Sequence, residues 1–171
     1  MKKLLFCFLL FVTVTAQAQF DSSFARKQIM VCADSLSRGF VTKDWELFAR
    51  YSYAPLIGVL GGKEQFIRQV SSSLNEIPDT AWKKYQPGKV LQMLQSGREL
   101  QALVELFSVL EWQGIRVSTT HHLVAESWNG GQHWTFFDSQ NDREKAILIK
   151  PDLSPLLIIP PKQEKMEPLA K

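Results

Sequence analysis

The hydrophobic period of this chain changes once, near Pro87, and that single change limits what the chain can fold into. Before it, apolar residues recur at spacings of three and four; after it, they sit in long Val-, Leu-, Phe- and Thr-rich runs separated by turn-forming pairs. From Ser22 or Ser23, which can cap a helix, a helical pattern runs to about Arg38. Ile29, Cys32, Leu36 and Phe40 share its apolar face, and Gly39 fits just past its end. Thr42 can cap a second helix with Asp44 and Glu46 in its first turn, where negative charge suits the helix dipole. Trp45, Phe48 and Ala49 form its buried side, and the pattern stops before Pro55. Leu56 to Leu60 reads as a short buried strand ended by Gly61-Gly62. A third helix follows over about Lys63 to Asn75, striped by Phe66, Ile67, Val70 and Leu74 and broken at Ile77-Pro78.

Between Lys89 and Ile149 the punctuation is Ser96-Gly97, Gln113-Gly114 and Asn129-Gly130-Gly131, which predicts hairpins between long strands. Helices first and an antiparallel meander afterwards make an α+β domain with helices over one face of a sheet. The last dozen residues, from Pro160, are rich in proline and charge and read as a flexible tail.

The N-terminus says where such a domain works. Lys2 and Lys3, the apolar run Leu4 to Val14, and Ala16-Gln17-Ala18 have the layout of a secretory signal peptide cleaved after Ala18. The apolar run is too short for an anchor, and no second stretch of about 18 apolar residues follows. The expected product is an exported protein, periplasmic or secreted, with no membrane anchor. It is one domain over residues 19–159 plus a tail over 160–171. Removing the signal leaves 153 residues, enough for one domain with a real core. It also leaves 18 basic residues against 17 acidic ones. That balance offers no electrostatic footprint for nucleic acid. Cys7 leaves with the signal, so Cys32 stands alone and no intrachain disulfide is expected; on a helical apolar face it reads as core.

Register locates the candidate site. With Gln113-Gly114 as a two-residue loop, Glu111 faces Arg116 and Glu105 faces His122 on one side of the sheet. On the other side Val104, Leu106, Ser108 and Leu110 lie opposite Leu123, His121, Thr119 and Val117. With Asn129-Gly130 as the next loop, His121 faces Asp138, Leu123 faces Phe136 and Ala125 faces Trp134. Taking Gly130-Gly131 instead slips the register by two and leaves the faces unchanged. One face is therefore mostly apolar with a polar knot of Ser108, Thr119, His121 and Asp138. The opposite face mixes Glu105, Glu111, Arg116, His122, Glu126 and His133 with Leu103, Phe107 and Val109. That mixture is too apolar to be fully wet and calls for cover, from a second copy in a homodimer or from another segment of the chain.

The order of elements resembles the nuclear transport factor 2-like superfamily, the cone shared with ketosteroid isomerase and polyketide-cyclase-like proteins. The resemblance rests on the Asp44-Trp45-Glu46-Leu47-Phe48 helix and on Gly61-Gly62-Lys63-Glu64-Gln65-Phe66. It rests also on the strands ending in Trp134-Thr135-Phe136-Phe137-Asp138. It covers roughly Phe24 to Ile159. It implies three helices closing one end of a curved antiparallel sheet around a pocket, and it implies little about chemistry, since relatives include enzymes and proteins with none. Ser127-Trp128-Asn129-Gly130-Gly131-Gln132-His133-Trp134 is also similar to an Asp-box, the hairpin motif of sialidase-type propellers, with Asn129 replacing the aspartate. Propellers repeat that motif and here it occurs once, so a well-made hairpin is expected from it, not a glycan-binding module.

Two functions are open. One is a non-catalytic binding or scaffolding module of the cell envelope, holding a small apolar ligand near Ser108, Thr119, His121, Trp134 and Asp138. The other is a cofactor-free acid-base enzyme of the isomerase, cyclase or dehydratase type, with His121 and Asp138 as catalytic residues. A carboxylate beside an imidazole sets its tautomer and raises its basicity, as proton transfer needs. The aromatic load of the helices favours the first. His122 and His133 lie on the other face, so no three-histidine metal site is expected, and ion pairing is the expected role of both.

Overall fold

The structure is a computed structural model and describes residues 22–169. The signal segment and Cys7 lie outside the described residues. Helices lie on the N-terminal side of an open antiparallel sheet of five strands. The expected α+β architecture is therefore present.

Helix α1 (Ser22–Val41) is longer than the sequence reading had it, and Gly39 lies inside it, not beyond its end. The reason is a close approach. A Cβ on Gly39 would come 2.6 Å from the backbone nitrogen of Phe48, so this glycine lets α2 (Trp45–Tyr51) lie directly on α1. Asp44, not Thr42, caps α2, accepting from the Leu47 amide at 3.0 Å. The Thr42 hydroxyl is turned back onto the Arg38 carbonyl.

Leu56 to Leu60 is not a strand. Helix α3 (Ala54–Val59) occupies that stretch, with Pro55 in its first turn where a missing N–H costs nothing. The residues that do pair with the sheet are Ser52 and Tyr53: the Tyr53 amide donates to the Phe136 carbonyl at 2.8 Å. α4 (Lys63–Leu74) lies where expected, and the α-helices before residue 80 therefore number four among the described residues. A short 3-10 turn (Asp79–Ala81) leads into the sheet.

The sheet order is β1 (Trp82–Ser96), β2 (Glu99–Trp112), β3 (Ile115–Ser127) and β4 (Thr135–Asp138). β2 and β3 pair as the Gln113-Gly114 turn dictates, with Glu111 opposite Arg116, Glu105 opposite His122 and Ser108 opposite Thr119. Gln113 and Gly114 both take positive φ, the conformation a two-residue hairpin with right-twisted strands requires. Three register shifts along β1, around Lys84, Pro87-Gly88 and Leu91, bend this edge of the sheet.

The meander ends sooner than the sequence suggested. Residues 128–134 form a loop, so Asp138 pairs with Leu123 and Phe136 with Ala125. This is the two-residue slip that keeps the faces. After Asp138 the chain turns into a helix, α5 (Arg143–Ile149), where strand had been expected; Asp142 caps it by accepting from the Glu144 and Lys145 amides. The tail is ordered as well. β5 (Gln163–Pro168) pairs with Ile115–Thr120 of β3. Because β4 is short, it pairs only with the second half of β3, and β5 satisfies backbone groups that would otherwise stand at an open edge.

Two cores result. On the concave face, Ala25, Ile29, Cys32, Ala33 and Leu36 of α1 pack on Leu100, Ala102, Val104, Leu106, Leu123 and Ala125, with Trp134 and Phe136. On the convex face, Leu103, Val124 and Phe137 are covered by Ala146, Leu153 and Leu157 together with Tyr53. The chain's own residues 139–159 thus supply cover for the upper half of that face.

Candidate functional site

Alternation along β2 and β3 turns Ser108 and His121 to the concave face, and the last residue of β4 brings Asp138 beside them. The His121 Nδ1 lies 3.0 Å from Asp138 Oδ2, and its Nε2 lies 3.0 Å from Ser108 Oγ. A carboxylate oxygen only accepts, so Nδ1–H donates to Asp138, and in the neutral imidazole Nε2 then accepts from the serine hydroxyl. The other Asp138 oxygen accepts from the Gln140 amide at 2.7 Å, which fixes the carboxylate. Ser108 is only 5% exposed, whereas His121 and Asp138 are partly open to solvent. Thr119, the fourth member of the expected knot, is engaged elsewhere: its hydroxyl donates to Glu164 of β5 at 3.3 Å. The Lys162 ammonium in turn holds the Glu164 carboxyl below the usual carboxylate range.

Asp138 also borders a cavity of about 230 Å³ between the helices and the concave face. Leu36 of α1, Phe48 of α2, Leu56 of α3 and Phe66 and Val70 of α4 supply its helical walls. Tyr85, Leu123 and Phe136 supply its sheet side. Burial, and then the nearby Asp138 charge, push the Tyr85 phenol well above its ordinary value, so it is a neutral hydroxyl throughout the physiological range. The Tyr85 ring is held by stacking on Phe40, with centroids 4.0 Å apart.

Trp134 is not at this cavity. It is fully buried against α1, its indole N–H donating to the Gly131 carbonyl at 3.0 Å. Cys32 is core too, and burial pushes its thiol up, away from the reactive thiolate. His122 and His133 point away from His121, but neither forms the expected ion pair. His122 is buried and its Nδ1–H donates to Asn141 Oδ1 at 2.7 Å. Asn141 Nδ2 donates to the Thr120 carbonyl, which orients that amide. His133 lies against the Tyr51 ring, 5.3 Å between centroids. No group of three or more His, Cys, Asp or Glu side chains among the described residues could hold a metal ion, and no helix there is long and apolar enough to cross a membrane.

Sequence reasoning missed Tyr85, although it had placed Leu36, Phe48, Phe66 and Val70 on the buried faces of the helices. Tyr85 precedes the point at which strand was read to begin, and the bulges of β1 break the alternation that would have placed it. It missed also the convex-face ion cluster. The Lys150 ammonium, 1% exposed, lies 2.7 Å from Glu99, 2.6 Å from Glu126 and 3.0 Å from Asp152. Burial alone would lower its pKa, yet the hydrogen bonds it donates to these carboxylates outweigh burial and hold it charged. Burial pushes the Glu99 carboxyl up despite Lys150 and Gln101. Compared with known proteins, the chain matches no family model, no curated protein and no solved structure.

Proposed function

We propose that this chain is an exported, non-catalytic binding module that takes a small apolar ligand in the cavity between its helices and the concave face of its sheet. The observation that carries the reading is the cavity itself: about 230 Å³, lined by Leu, Val and Phe side chains, with one carboxylate, Asp138, at its wall. An apolar body with a single hydroxyl or similar donor suits that lining. The arrangement of helices over one side of a bent sheet supports reading the chain as a member of the nuclear transport factor 2-like superfamily. The layout of residues 1–18 supports export. A homodimer through the convex face has less to bury, because residues 139–159 already cover half of it.

The acid-base enzyme reading has weaker support. Both His121 nitrogens are bonded inside the protein, one to Asp138 and one to Ser108, and the imidazole does not line the cavity. A base that does not face the cavity cannot take a proton directly from a ligand held there.

The test uses 2-naphthol as probe and side-chain methyl NMR as readout. The expected result is saturable shifts of the Leu56 and Val70 methyls, tighter for 2-naphthol than for naphthalene, and abolished in Val70→Trp. Shifts confined to surface residues, or equal shifts in Val70→Trp, would overturn the reading.

A further inference from the structure

A second cleft, separate from the cone cavity, lies where the 128–134 loop leaves the sheet, and its volume is about 270 Å³. Its lining includes Ala54, Glu126, Trp128, Asn129, His133 and Thr135. The loop beside it is stapled from within. Asn129 Oδ1 accepts from the Ser127 hydroxyl and from the His133 amide, each at 3.0 Å. Ser127 Oγ accepts from the Gly131 amide, and the buried Trp134 indole donates to the Gly131 carbonyl. None of these bonds uses the side chain of Trp128, a residue 63% exposed on a loop that holds its shape without it. An indole left in water on a rigid support is an anchor for something else.

Glu126 gives the cleft its charge. It is more than nine-tenths buried and belongs to a cluster in which three carboxylates, Glu99, Glu126 and Asp152, surround the one ammonium of Lys150. The cluster's negative charge exceeds its positive charge beside an open aromatic face. We propose that this cleft binds an alkylammonium group, the cation seated over the Trp128 indole and beside the Glu126 carboxylate. A cation over an indole is attracted by the ring quadrupole. Because Glu126 Oε2 already accepts from Lys150, the fitting ligand is a substituted ammonium, recognised by charge and by a π face without N–H donors of its own.

Choline tests this on the full folded protein, with its neutral carbon isostere 3,3-dimethylbutanol and methyl glucoside as controls. The readouts are the backbone amide resonances of Asn129 and Thr135 and the Trp128 indole N–H, assigned by its loss in Trp128→Leu. The expected result is saturable movement with choline, weakening as salt is raised, and none with either control. Trp128→Leu, followed at Thr135, should bind choline about threefold more weakly. Asp152→Asn, an exposed change that leaves the buried pairs intact, should weaken it in the same direction. Equal shifts with dimethylbutanol, shifts with the glucoside alone, no shift with any probe, or unchanged choline affinity in Trp128→Leu would each overturn the proposal.

Discussion

The two faces of one sheet solve the same burial problem with opposite chemistry. On the concave side, α1 covers aliphatic residues of β2 and β3, and the polar groups near it form a hydrogen-bonded chain from Ser108 through His121 to the Asp138 carboxylate, with one end in solvent. On the convex side, a loop-and-helix segment covers the sheet, and at its centre sits an ion cluster around the buried Lys150 ammonium. The contrast shows that β2 and β3 are buried on both faces in their upper halves, although only one face reads as apolar. Charged residues are hidden when a later segment brings the opposite charge. Removing one partner of a buried pair strands the other, whereas trimming a solvent-linked chain lets water step in.

The largest effect should therefore come from the convex side. Lys150→Met should cost about 3–5 kcal/mol in urea unfolding, because Glu99 and Glu126 are left buried without a counter-charge. Adding Glu99→Gln and Glu126→Gln should recover part of the loss; no recovery would mean that the lysine's contribution is packing.

A pair of glycines sharpens the comparison next. A Cβ on Gly131 would lie 2.6 Å from Ala25 Cβ and 3.1 Å from its Cα, at a φ of +84°, so Gly131→Ala should cost about 2–3 kcal/mol. A Cβ on the convex-side Gly88 meets side-chain atoms of Phe107 and Glu105, which can turn aside. Gly88→Ala should cost about 1 kcal/mol. Thermal melts of the two variants measure the difference, and a reversed order would break the contrast between a rigid inner face and a yielding outer one.

His121→Ala should cost about 1 kcal/mol, less than a sealed pair would, since Asp138 is already partly in water. The same Ser108, His121 and Asp138 should stay silent toward fluorophosphonate probes. Labelling of Ser108, detected by peptide mass spectrometry, would mean the chain has nucleophilic chemistry that its burial argues against.

The smallest effect is a pH slope. Burial raises Glu99 in the folded state, so the fold holds that proton more tightly than the unfolded chain does. Its stabilising share is complete below the ordinary carboxylate range and is lost as pH rises through the raised value. Lys150, also raised, keeps its share until pH exceeds about 10.4. In urea titrations the stability of wild type relative to Glu99→Gln should therefore fall as pH rises above the ordinary carboxylate range. A relative stability that rises with pH there would reverse the assignment.

What could be read from the sequence divides along the same line. Gln113-Gly114 fixes the β2–β3 register, because a two-residue turn with two positive φ angles leaves no slack, and so Ser108 and His121 were found together. Asp138 was found on the right face because a two-residue slip conserves alternation. Lys150 could not be read, since its partners lie 51 and 24 residues back and nothing local marks it as buried. α3 was lost because Leu-Ile-Gly-Val-Leu looks like strand by composition, while the pairing that excludes it, Ser52 and Tyr53 on Phe136, is tertiary. α5 did carry a local sign, Asp142 followed by Glu144, hidden by the strand-like Ile147-Leu148-Ile149.

The placement of β5 has a consequence for the order of assembly. During synthesis, residues 115–120 emerge more than forty residues before their partner at 163–168. Until the C-terminal stretch is released, that edge of β3 is a six-residue template open to any passing strand. Among the described residues, that edge is covered by the strand synthesised last. A product truncated at Pro160 would keep both cores, the cavity between helices and sheet, and the Lys150 cluster, and would still be the species most prone to aggregate.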